Sequence, residues 1–102
     1  MKFVKTDEFA ADWKSLPADH RRIFRSSMRA FNAACEAYIA DPGHPWPAAL
    51  RVKPMVNTKG IWEMTWSLSG PDGRATFEFT RVDGGTAVRW RRIGRHGIYQ
   101  KP

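Results

Sequence analysis

The chain has 102 residues, a single cysteine, five tryptophans and six phenylalanines, and a formal charge of +7. That length supports one domain with a hydrophobic core and no disulfide staples. Cys35 alone excludes an internal disulfide and a cysteine-rich zinc site, and no apolar run has the length of a signal peptide or a membrane span. The expectation is a single cytoplasmic domain over residues 1–102, without metal or cofactor.

The charge is uneven. Residues 1–50 carry seven Lys/Arg and six Asp/Glu, whereas residues 51–102 carry ten and four. A basic half beside a near-neutral half points to a polyanion partner, most simply nucleic acid.

Taken in chain order, Lys2 to Lys5 alternates as a short strand. Thr6 is an N-cap with Asp7 and Glu8 in the first turn, where the helix dipole favours acids. Phe9 and Trp13 share a face of a short helix that Pro17 ends. A second helix is predicted from Ala18 to Ala40, because Phe24, Met28, Phe31, Cys35 and Tyr38 recur at intervals of four and three. Cys35 falls on this apolar stripe as a structural thiol, and Arg21, Arg22, Arg25 and Arg29 form a basic stripe on the same helix. Asp41-Pro42-Gly43 stops the helix. His44-Pro45-Trp46-Pro47 is a stiff connector in which Trp46 either covers a core edge or presents a stacking surface. The two helices are expected to form a hairpin.

The period then changes to two. Leu50, Val52 and Pro54 alternate with Arg51 and Lys53, and Trp62, Met64, Trp66 and Leu68 alternate with Glu63, Thr65 and Ser67. After a turn at residues 69–73, Ala75, Phe77 and Phe79 alternate with Arg74, Thr76 and Glu78. Asp83-Gly84-Gly85 turns the chain into a final strand through Val88 and Trp90. The expected fold is α+β: an N-terminal strand, a two-helix hairpin, then an antiparallel sheet of three to four strands.

With the aromatic face against the helices, alternation places Arg51, Lys53, Arg74, Arg89 and Arg91 on the other face beside Glu63 and Glu78. Arg92 and Arg95 fall outside that set. Arginine forks match phosphate oxygens bidentately, and a histidine, here His96, brings proton transfer near neutral pH within reach. That face is either a salt-bridged surface or a polyanion site. Three scattered histidines with no tight carboxylate cluster offer no metal site.

Several short motifs, in order, resemble the RelE/ParE superfamily of toxins from type II toxin–antitoxin pairs. They are Leu50-Arg51-Val52-Lys53, Gly60-Ile61-Trp62-Glu63-Met64, Gly73-Arg74-Ala75-Thr76-Phe77 and Gly94-Arg95-His96. The resemblance implies a RelE-like, metal-independent endoribonuclease that cuts mRNA at the ribosome, inhibits translation and is held inactive by an antitoxin protein. In that chemistry the ribose 2′-hydroxyl attacks the adjacent phosphate, cations stabilise the charged transition state, and an acid protonates the leaving oxygen. The resemblance assigns Lys53, Arg74, Arg89 and Arg91 to phosphate and transition-state stabilisation, and His96 to general acid or base. Arg51 is placed at the RNA, and Tyr99 as a stacking or proton-donating group. Glu63 resembles a structural residue that pairs with Arg74 or Arg89. Thr65 stands where many relatives carry an arginine. The alternatives are a ParE-like gyrase inhibitor and a non-catalytic RNA- or protein-binding module.

Overall fold

A computed structural model describes residues 1–67 and 72–102, apart from the side chain of His96. Leu68 and most of the turn expected at residues 69–73 lie outside the described residues. The elements are β1 (Lys2–Lys5), α1 (Asp7–Ser15), α2 (Ala18–Ala40), β2 (Lys53–Pro54), β3 (Trp62–Ser67), β4 (Gly73–Val82) and β5 (Gly85–Gly94). Short 3-10 turns occupy Ala48–Leu50 and His96–Gln100. This is the expected α+β order, with a five-stranded sheet in the order β1-β5-β4-β3-β2. The additional strand is β1, which joins the edge parallel to β5, while every other pairing is antiparallel.

Local signals set the helix ends. The Thr6 hydroxyl accepts from the Phe9 amide at 3.1 Å and donates to the Arg91 carbonyl at 2.8 Å, so one residue caps α1 and ties it to β5. Both helices lie on one face of the sheet. Phe31 packs edge-on against Phe77 at 5.1 Å between ring centres and lies 4.9 Å from Trp90, while Phe24 meets Trp90 at 5.2 Å. Phe9 and Trp13 of α1 lean on Phe24 of α2. Cys35 is buried in the same core. Trp46 covers a core edge, 5.1 Å from Tyr38 and 5.7 Å from Trp62.

Asp83 and Gly84 both have positive φ (53° and 79°), as a two-residue hairpin requires, and Gly84 takes that conformation without strain. In contrast, the strand expected over residues 50–54 shrinks to Lys53–Pro54. Pro47 opens a 3-10 turn, and Arg51 follows in the left-handed region at φ 47°.

One extra residue redirects β5. Phe77 faces Trp90, but Thr76 faces Arg92, so Arg91 is a bulge between them. Beyond it the alternation flips. Ile93 joins the core opposite Ala75, and Arg92 moves to the face that carries Thr76. Uninterrupted alternation had left Arg92 off that face.

Candidate functional site

Strand pairing assembles a cleft on the sheet face away from the helices. Lys53 lies opposite Glu63, and Thr65 opposite Arg74. These four residues, with Arg51, Val52 and Tyr99, line a cleft of about 350 Å³. Lys53 Nζ is 3.5 Å from Glu63 Oε1. Glu63 therefore pairs with Lys53 rather than with Arg74 or Arg89, because register places Lys53 directly across from it. The Arg74 guanidinium donates to Asp72 Oδ2 at 3.3 Å and to the Gly73 carbonyl at 3.3 Å. Its side chain is only 15% exposed, so it is held in place rather than sweeping through solvent.

Tyr99 reaches the cleft from the C-terminal 3-10 turn. Burial pushes its phenol up to about 12, with the Glu63 charge adding to the shift and Arg74 opposing it. The phenol is therefore a neutral O–H donor at ordinary pH, not a base.

Arg89 and Arg91 do not line this cleft. Both bind Glu78 on β4: Arg91 Nη1 at 2.9 Å and Arg89 Nη1 at 3.6 Å from the same Oε2. The expected five-cation face is thus split in two, and the C-terminal segment runs across it. Thr76 Oγ1 and Arg91 Nε donate to the main-chain oxygen of Pro102, at 3.4 and 3.0 Å, and Arg92 Nη1 donates to the Lys101 carbonyl at 3.0 Å. Thr76 is fully buried in consequence. Arg92 is also held by Asp12 of α1, which accepts from its Nε at 2.6 Å, from its Nη2 at 3.1 Å and from the Ile93 amide at 3.1 Å.

Arg95 and His96 follow β5 directly, His96 opening the 3-10 turn that delivers Tyr99; the His96 side chain lies outside the described residues. Arg22, Arg25 and Arg29 project to solvent from α2, with the Arg25 guanidinium 5.4 Å from the Trp13 ring centre. Charge patterning pointed to Lys53, Arg51 and Arg74, which the structure brings together. It missed Asp72, the carboxylate partner of Arg74, Asp12, the partner of Arg92, and the burial of Thr76. Asp72 sits two residues before Arg74, a local signal that was available. Asp12 is 80 residues from Arg92, and nothing local links them. Among the described residues no helix is long and apolar enough to cross a membrane.

No protein-family model matches the chain, and no curated protein matches it. Among solved structures, it is similar to a YoeB/ParE toxin from Agrobacterium tumefaciens. The TM-score is 0.55 over 94% of this chain and 99% of that one, at 13% identity. The strand, helix pair and five-stranded sheet described above are accordingly a fold that this chain shares with that toxin.

Proposed function

We propose that this chain is the toxin of a toxin–antitoxin pair and that it cuts mRNA without a metal, by attack of the ribose 2′-hydroxyl on the neighbouring phosphate. The observation that carries this reading is the convergence of Lys53, Arg74 and Tyr99 in one cleft, with Arg51 at its rim. A phosphodiester seated there meets the Arg74 fork at its non-bridging oxygens, where charge grows as the phosphorane forms. Lys53 adds a second positive charge on the same side. Tyr99, kept protonated by its surroundings, donates a hydrogen bond without competing for the proton of the attacking hydroxyl. His96 serves as general acid or base, a role that rests on the Gly94-Arg95-His96 resemblance. Arg89 and Arg91 bind flanking phosphates once Glu78 is exchanged for RNA. The protein acts in the cytoplasm, on the ribosome, and an antitoxin with acidic residues neutralises the exposed arginines.

Induced expression with mapping of mRNA 5′ ends tests this. Wild-type protein is expected to halt translation and create new 5′ ends, and Arg74→Ala to slow cleavage by about 100-fold or more, the scale of losing one transition-state donor. Intact mRNA in cells arrested by the wild type would overturn the nuclease reading.

A second reading draws on a specific observation. Lys53, Arg74, Arg89 and Arg91 each already carry a carboxylate partner, which blunts their pull on phosphate. A ParE-like toxin that binds gyrase needs no cutting residues. It predicts gyrase inhibition and DNA damage signalling with normal mRNA ends.

A further inference from the structure

The C-terminal segment divides one groove into two. Lys53, Glu63, Thr76 and Arg92 stand opposite one another on β2, β3, β4 and β5, so they form a single row across the face away from the helices. The Lys53–Arg74 cleft occupies one end of that row. At the other end lies a larger cleft of about 530 Å³, lined by Arg91, Arg92, Lys101 and Pro102, with Glu8 of α1 at its border. Pro102 sits over Thr76, in the middle of the row, and so separates the two.

The contacts that hold this segment are those an anion would receive. Thr76 Oγ1 and Arg91 Nε converge on the Pro102 main-chain oxygen, and Arg92 Nη1 donates to the Lys101 carbonyl. Both guanidinium groups are aimed by a carboxylate. Asp12 takes Nε and Nη2 of Arg92, which leaves Nη1 for the groove, and Glu78 takes Nη1 of Arg91, which leaves Nε. The oxygens they now bind are neutral. A phosphate oxygen carries charge and is the stronger acceptor for both forks. The segment is also held lightly. The turn closes with the Lys101 amide on the Ile98 carbonyl at 3.2 Å; beyond it Lys101 is exposed and Pro102 only half-buried.

We propose that residues 101–102 are a displaceable strap over a second phosphate site made by Arg91 and Arg92, and that a single strand of RNA crossing from Arg74 lifts the strap and binds there. The inference rests on the proposed RNA binding, not on cleavage, and adds to it a site that the chain itself occupies at rest.

The test compares the full chain with a form lacking Lys101 and Pro102. The probe is a fluorescein-labelled 2′-fluoro oligouridine, which cannot undergo transesterification, and anisotropy titration at several salt concentrations reads the affinity. A strap open about one tenth of the time lowers apparent affinity about tenfold, so its removal should raise affinity by that factor. The slope of log K against log salt should steepen by about 0.7 for each phosphate newly bound. The sign is diagnostic, because loss of the Lys101 charge alone would weaken binding and flatten the slope. Arg91→Ala in the shortened form should cancel the gain. Thr76→Val removes one strap donor and no charge, and in the full chain it should raise affinity by a smaller factor. Unchanged or weaker binding by a folded shortened form would overturn the proposal. Should that form not fold, Thr76→Val decides, and no gain from it overturns the proposal. Equal binding by the full and shortened chains refutes the strap alone; if neither binds the oligomer at low salt, the RNA-binding reading falls with it.

Discussion

Substituting Gly73→Ala tests how the first residue of β4 supports the site. An added Cβ would stand 2.3–2.4 Å from three ring atoms of Trp66, far inside van der Waals contact. The ring has little room to yield. Trp66 is 7% exposed, and its Nε1 is bound to the Arg74 carbonyl at 2.9 Å. Relief requires moving Trp66 out of its packing, moving the start of β4, or both. Overpacking of this kind costs about 1–3 kcal/mol, and losing the indole hydrogen bond adds about 1 kcal/mol. The expected destabilisation is about 2–4 kcal/mol, which for a domain of this size lowers Tm by roughly 10–25 °C. Urea and thermal unfolding followed by tryptophan fluorescence measure it. The reasoning also makes a coupling prediction. In a Trp66→Leu background the clash is gone, so Gly73→Ala should cost less than about 0.5 kcal/mol. A wild-type-background cost below that value, or an equal cost in both backgrounds, would refute the steric argument.

Asp12→Ala leaves the Arg92 guanidinium and the Ile93 amide without their acceptor on α1. Stability should fall by about 2–3 kcal/mol, and hydrogen exchange at the Ile93 amide should accelerate; unchanged exchange there would argue that water replaces Asp12 at no cost. Burial raises the Cys35 thiol from 9.0 to about 12, with the Glu36 charge adding and the N-terminal ammonium opposing. Its contribution is fully present below pH 9 and is lost as pH rises toward 12, because the unfolded chain gives up this proton first. The slope approaches about 1.4 kcal/mol per pH unit in that window. Tyr99 adds a loss of the same sign above pH 10. A Cys35→Ala protein should therefore show a flatter stability profile between pH 9 and 10, and the native thiol should react with thiol reagents only as fast as the protein opens.

Much of the architecture is local and could be read directly. Helix α2 runs from Ala18 to Ala40 as its spacing of Phe24, Phe31 and Cys35 requires, and the Asp83-Gly84 turn is written in two residues that tolerate positive φ. The inward set Met64, Phe77, Val88 and Trp90 follows from strict alternation. The meeting of Lys53 and Arg74 on one face follows from the same rule, since register runs without a shift from the Lys53–Glu63 pair through the Thr65–Arg74 pair.

What tertiary structure decided depends on register and on distant partners. The bulge at Arg91 shows in the sequence only as a doubled arginine, Arg91-Arg92, that delays the next apolar residue to Ile93, yet it carries Arg92 to the opposite face and Ile93 into the core. Whether Arg89 and Arg91 join Lys53 was settled by Glu78 on the neighbouring strand and by a C-terminal segment lying between the two groups. The parallel docking of β1 on β5 pairs residues about 85 positions apart. Side-chain alternation reports which way a residue points from its own backbone; which charges meet is fixed only when strands pair and the chain folds back over them, and that information is spread over the whole fold.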